Sequence, residues 1–200
     1  MGQWILFLAL TQVFLAPRVI GAEAEPTPTE EEIGKEQILL TEDQALKETF
    51  PEAARFENDT KEISPEIRRN VEQKIGHPFE EQTLVFHRAV DKNGSLFGYG
   101  LVMNEKGKYR PITILVAITP ELAVKEIAVM VYRESRGGEV SRKRFLRQFE
   151  GKSPNDPIRI HRDIIHISGA TISSDSVAVA TRRALIFTRE FYGPVRVIHP

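Results

Sequence analysis

Ser168, Thr171, Ser173 and Ser174 place four hydroxyls within the run I-S-G-A-T-I-S-S at residues 167–174. Gly169 and Ala170, between them, leave the backbone open to close approach by a ligand. Val177, Ala180, Ala184, Phe187 and Phe191 recur at helical spacing, so a helix is expected from about Ser173 or Ser174. The first turn of a helix carries unpaired N–H groups and partial positive charge, which suits an anion. The stretch therefore reads as a phosphate seat with an alcohol in it. Hydroxyls ahead of a helix are also common N-caps, and the local chemistry leaves both readings open.

The elements that must position this turn lie upstream. Residues 83–90 are apolar and β-prone, Asn93-Gly94 marks a turn, and residues 95–103 return as the second arm of a hairpin. Gly98 and Gly100 in that arm suggest a bulge or a close approach. Residues 112–118 are almost unbroken in apolar character, and residues 123–132 alternate as a fourth strand. Short links between these strands favour an antiparallel meander. Ahead of them, Thr41 and Gln44 form a capping-box pattern, and Pro51 ends the helix it opens. Ser64-Pro65 opens a second helix that stops at Gly76. The expected fold class is α+β: N-terminal helices, a meander-like antiparallel sheet, a helix after the fourth strand, and a C-terminal helix after the hydroxyl-rich turn.

After the fourth strand the chain reads R-E-S-R-G-G, from Arg133 to Gly138. Glu134, Ser135, Gly137 and Gly138 make an ordinary surface turn, or a backbone able to lie flat against a planar ring. Residues 141–149 form a basic helix with Phe145, Leu146 and Phe149 on one side. Arg142, Lys143, Arg144 and Arg147 read as a solvated face, with docking to an acidic partner or attraction of a phosphate as the sharper alternatives. Residues 158–167 look extended and lead into the hydroxyl turn.

The chain contains no cysteine, which excludes disulfides, iron–sulfur ligation and c-type haem attachment. Its formal net charge of -1 gives nucleic-acid binding no electrostatic support. No cluster of metal-ligand spacing stands out. Residues 4–16 are apolar but short of the ~20 needed to span a bilayer. Ala22-Glu23-Ala24 follows as a small-residue cleavage site. The expected organisation is a signal peptide at 1–24, an acidic Pro/Thr/Glu-rich tether at 25–37, and one domain at 38–200. An uncleaved anchor helix is the alternative to export of a soluble, periplasmic or otherwise extracytoplasmic chain.

S-G-A-T-I-S-S followed by an Ala/Val-rich helix resembles the attachment motif of FMN-binding domains. Such domains occur in the C subunit of the Na+-translocating NADH:quinone oxidoreductase and the G subunit of the Rnf complex. E-S-R-G-G and Q-F-E-G-K, at residues 134–138 and 148–152, resemble further family features in the same order. The likeness spans residues 99–192. Ser135 stands where the family usually has Thr. Ile165 stands where an aspartate is usual, with Asp163 two residues earlier and His166 one later.

The resemblance implies FMN joined through its phosphate to Thr171 by a flavin transferase. It implies phosphate contacts from the turn Ser168, Gly169, Ala170, Ser173 and Ser174, with Ser168 and Ser173 as hydroxyl donors. It places the flavin ring against Glu134, Ser135, Gly137 and Gly138. No residue is assigned a catalytic role. The implied function is electron relay between a donor and an acceptor, within a membrane redox complex or as a free carrier. The alternatives are a non-covalent FMN reductase or sensor, and a cofactor-free exported interaction module.

Overall fold

The computed structural model describes residues 28–193. The expected leader at 1–24 lies outside them. The elements run α1 (Glu30–Ile33), β1 (Gln37–Ile38), α2 (Glu42–Thr49), β2 (Arg55–Glu62), α3 (Pro65–Ile75), β3 (Thr83–Val90), β4 (Leu96–Lys106), β5 (Pro111–Ile118), β6 (Val124–Tyr132), α4 (Lys143–Leu146) and α5 (Thr171–Tyr192). The fold is α+β. The four expected strands form the meander β3-β4-β5-β6, every pair antiparallel. Two further strands extend it to a six-stranded sheet of order β1-β6-β5-β4-β3-β2.

The two added strands lie at the sheet edges, where sequence signals are faint. β2 reads R-F-E-N-D-T-K-E and exposes much of its length, so it lacks the apolar alternation of a half-buried strand. β1 pairs only Gln37 with Tyr132 and Ile38 with Val131. Together with α1, β1 places regular structure inside the stretch expected to be a solvated tether.

The sheet is covered on both faces, which explains the apolar run in β5. On one face α2 buries Ala45 and Leu46 against Leu115, Ala128 and Met130. On the other, α5 buries Val177, Ala180, Ala184 and Phe187 against Ile112, Ile114, Val116 and Val129. A central strand packed on both sides needs no polar alternation. The α2 N-terminus carries the expected capping box, with the Thr41 hydroxyl accepting from Gln44 N and the Gln44 side chain accepting from Thr41 N. α3 begins at Pro65 behind a Ser64 cap and ends at Gly76 in the left-handed conformation.

Both glycines of β4 have a physical reason. The β3–β4 register shifts between Ala89 and Val90, opposite Gly98, so Gly98 marks the bulge. Gly100 is a close approach: a Cβ there would sit 2.8 Å from Leu46 Cδ2 of α2.

The expected basic helix at 141–149 is a chain of short turns. A 3-10 turn over Gly138–Ser141 leads into the single α-turn α4, and a second 3-10 turn covers Arg147–Phe149. Phe145, Leu146 and Phe149 still point into the core, so the expected apolar side survives. Residues 158–167 are not extended. They fold into turns bridged between Ile160 and Ile164. Buried Ile158 and exposed His161 both adopt positive φ there, at 45° and 62°. A β-branched residue in that region is strained, and its surroundings must hold it there.

One helix-to-sheet tie lies inside the core. Arg183 of α5 is buried and bonds Glu105 of β4, and its second nitrogen reaches Glu81 at 2.7 Å. Phe79 lies alongside, 5.2 Å from the guanidinium carbon.

Candidate functional site

α5 opens at Thr171, two to three residues earlier than its apolar spacing suggests. The expected start overlooked how the serines are used. Ser173 and Ser174 sit in the first turn facing inward, and neither caps the helix. The capping position is Ala170, and no side chain bonds the first N–H groups. Thr171 and Ile172, the first two helical residues, are exposed.

The serines of this turn fasten α5 to three separate segments. Tyr132 donates its hydroxyl hydrogen to Arg136 O at 2.5 Å, so the 2.8 Å contact between Tyr132 and Ser173 has Ser173 Oγ donating to Tyr132 Oη. Burial pushes the Tyr132 phenol above its ordinary range, although the Ser173 contact pulls the other way. Ser174, fully buried, accepts from Ile167 N at 3.2 Å. Ser176 donates to Lys106 O at 2.7 Å. The helix start is thereby tied to the end of β6, the loop before α5 and the end of β4. The hydrogen of Ser173 is committed to Tyr132, so its expected role as a phosphate donor does not fit this arrangement.

The loop after β6 is held with equal care. Glu134 is 4% exposed, and its Oε1 accepts from Tyr109 N at 2.7 Å and Arg110 N at 3.0 Å. That carboxylate organises the β4–β5 turn. Gly137 has φ 91°, and a Cβ there would lie 2.7 Å from Tyr132 Oη and 2.9 Å from Ser173 Oγ. Gly138 faces the Tyr132 ring and starts the following 3-10 turn. The outer side of this loop is braced by the N-terminal segment. Gly34, at φ 80°, leaves no room for a Cβ against the backbone of Glu134 and Ser135. Next to it, Glu36 pairs with Arg133 at 2.5 Å.

Q-F-E-G-K acts on the loop before α5. Gln148 Oε1 accepts from Ile165 N at 2.8 Å, and Gln148 Nε2 donates to Ile165 O at 3.1 Å. Gly151 and Lys152 bond the backbone of Val124, which sets the run against β6. Lys152 Nζ meets Asp163 Oδ2 at 2.9 Å. Asp163 also accepts from Ile158 N and Arg159 N. Burial works against the Asp163 charge, but these N–H groups and Lys152 prevail and hold its carboxyl below the ordinary range. Asp163 is thus spent on the strained turn. His166 packs edge-on against His161, with ring centres 4.4 Å apart. Gly169, at φ 78°, makes the last bend into the helix.

These parts enclose a cavity of about 440 Å³. Gly169, Ala170, Thr171 and Ser173 line one wall, Glu134, Ser135 and Arg136 another, and Lys108 and Tyr109 a third. Across the loop after β6 lies a second hollow of about 450 Å³, which takes in Gly137, Gly138, Ser168 and Gly169. The structure thus brings together every expected site residue except Ser174, which is behind the wall. Lys108, Tyr109, Arg136 and Ile172 were missed as lining residues. A signal existed for two of them: the turn K-G-K-Y-R puts cations beside an aromatic ring, and Lys108 Nζ lies 4.6 Å from the Tyr109 ring centre.

The arrangement suits an anion with a flat body. Lys108 and Arg136 supply positive charge, the uncapped start of α5 supplies N–H groups, and glycines leave the backbone bare. Among the described residues no cluster of metal-ligand side chains occurs.

Gly137→Ala is expected to cost about 1–3 kcal/mol, because the methyl group collides with Tyr132 and Ser173 in a left-handed conformation. Thermal or urea unfolding measures it, and an unchanged midpoint would mean that the loop yields freely.

Residues 107–186 match the family model described as the FMN-binding domain. The match runs from the β4–β5 turn through most of α5, so it contains nearly all of the cavity lining. The chain is also similar to the G subunit of the ion-translocating oxidoreductase complex of Methanosarcina acetivorans, at 28% identity over 88% of this chain and 93% of that protein. The resemblance read from S-G-A-T-I-S-S, E-S-R-G-G and Q-F-E-G-K is borne out.

Proposed function

From an FMN-binding domain at residues 107–186, we propose that this chain is an exported electron carrier with FMN esterified to Thr171. The observation that carries the reading is the exposed Thr171 alcohol. It stands at the first position of an uncapped 22-residue helix and on the rim of the 440 Å³ cavity. Bonded FMN supplies one- and two-electron chemistry, and the protein sets its orientation and surroundings.

The geometry supports the following roles for the chain's own residues. Thr171 Oγ1 would form the ester bond to the phosphorus of FMN. The P–O bond to the departing group breaks and that group's oxygen takes the threonine hydrogen, so that the chain gains FMN less water. The opening N–H groups of α5 stabilise the remaining phosphate charge, with Lys108 and Arg136 adding to the field. Ser135, Gly137 and Gly138 offer the face for the ring. Ser168, which is exposed, adds a further hydroxyl just ahead of the attachment position. Glu134, Tyr132, Ser173 and Ser174 act one step back, holding loops instead of touching the ligand.

The Ile165 departure loses force in this light. Both backbone groups of Ile165 are held by Gln148, so the loop shape does not depend on the side chain at 165. The relative's name, which makes it part of an ion-translocating oxidoreductase complex, supports a membrane redox complex as the setting. A flavin transferase is the maturation partner. The unidentified donor and acceptor would be other redox groups of that complex. Among the described residues no helix is long and apolar enough to cross a membrane. Export would then rest on residues 1–24.

Intact mass of the full chain, expressed with a flavin transferase and an export pathway, tests the proposal. The expected mass is that of a chain beginning at Glu25 plus FMN less water. The protein should stay yellow in a denaturing gel. Flavin released by denaturation would favour non-covalent binding, and a colourless chain would favour an interaction module without cofactor.

A further inference from the structure

Beside the attachment turn lies a groove of about 480 Å³ that the flavin site does not use. Phe145 and Ile167 form its apolar lining, and Ile165 stands at its edge with 79% of its surface exposed. This is the highest exposure of any large apolar side chain among the described residues. Ile165 is also held rigidly, since Gln148 grips both its N–H and its C=O. A clamped, protruding isoleucine costs little entropy to bury, which is the character of an interface anchor. Ile172, 49% exposed, follows Thr171 in the chain and lines the cavity. Along the chain, two exposed isoleucines thus bracket the attachment alcohol.

The charged groups around the groove are Arg142, Arg144, His166 and Glu139. Arg142 and Arg144 make no ion pair among the described residues, although eleven pairs between Lys or Arg and a carboxylate are formed there. In a chain of net charge -1 this is a local excess of unneutralised cation. Apolar centre and charged rim are the anatomy of a protein–protein interface.

Building on the flavin reading, we propose that this groove docks an electron-exchange partner protein with a carboxylate-rich rim around an apolar side chain. A concave face with an aromatic floor accepts a protruding side chain. A lipid surface offers no such side chain. Docking here brings the partner within a few residues of Thr171, where the flavin would be reached.

Stopped-flow reduction of the flavin-loaded full chain tests the proposal, with photoreduced flavodoxin as an acidic one-electron donor. Each productive encounter oxidises the flavodoxin by one electron and reduces the bound flavin by one. The wild-type rate should fall as salt rises. R142E/R144E should slow the reaction about tenfold at low salt and abolish that dependence. I165S should slow it at high salt as well. Reduction by the small neutral 5-deazariboflavin radical should be unchanged in all three, which shows that fold and flavin are intact. Wild-type flavodoxin rates in R142E/R144E would overturn the proposal. So would Arg142- and Arg144-dependent sedimentation with phosphatidylcholine–phosphatidylserine vesicles, which would assign the face to a membrane. A colourless wild-type chain would overturn the flavin reading itself, and this inference with it.

Discussion

Thr171→Val should yield a folded, colourless chain whose intact mass lacks the FMN increment entirely. Valine keeps the β-branched shape of threonine and removes only the alcohol, so the first turn of α5 keeps its geometry. Thr171 is exposed and its side chain makes no bond that the fold needs. The stability change should therefore lie within about 0.5 kcal/mol, as for other surface substitutions. Loading, by contrast, should fall from complete to none, because no other hydroxyl stands at the first position of α5. Ser173 and Ser174 are buried and hydrogen-bonded to Tyr132 and Ile167. Ser168 lies before the helix, away from its first N–H groups. Ser168→Ala should therefore keep the covalent flavin. Mass retained in Thr171→Val but lost in Ser168→Ala would move the attachment to Ser168.

The largest stability effect is expected at Arg183. Arg183→Ala leaves Glu105 buried without its cation and should cost about 3–5 kcal/mol, on the order of 10 °C in melting temperature. Burial already pushes the Glu105 carboxyl above its ordinary range, and Arg183 offsets only part of that push. Without Arg183 the group rises further and takes up a proton. A carboxyl raised on folding adds stability below its unfolded value of about 4.3 and loses it as pH climbs through the folded value. The deficit of Arg183→Ala should thus be greatest at neutral pH and shrink on acidification. Arg183→Met with Glu105→Leu removes both charges and should recover much of the loss. Thermal melts across pH decide the matter. A deficit that does not change with pH would mean that Arg183 contributes packing against Phe79 rather than charge.

The elements that bury apolar stripes were legible in the sequence. The meander, the capped α2 and α3 and the apolar face of α5 all follow from periodicity and caps. β2 escaped because an exposed edge strand carries no apolar alternation. The start of α5 escaped because its first serines serve distant segments, and a bond to Tyr132 or Lys106 leaves no local pattern. The turns at 158–167 escaped because their shape comes from Asp163 and Gln148 reaching along the chain. At the site, the motifs located Thr171 and the loop after β6. They could not separate side chains that line the cavity from those that hold its walls, since both roles use serine, glutamate and glycine. Lys108 and Tyr109 come from a turn that only the three-dimensional arrangement carries to Thr171.

The fit of Gly34 against Glu134 and Ser135 has a mechanical consequence. The segment from Gly34 to Ile38 does not trail from the domain as a slack cord. It is spliced to the rim of the cavity beside Thr171. A pull on the residues ahead of Gly34 would reach Glu36, Arg133 and the cavity rim before any other part of the fold. The same splice sets where the protein can be trimmed: a version starting at Ile38 would forfeit one flank of the cavity, whereas a version starting at Thr29 would keep it.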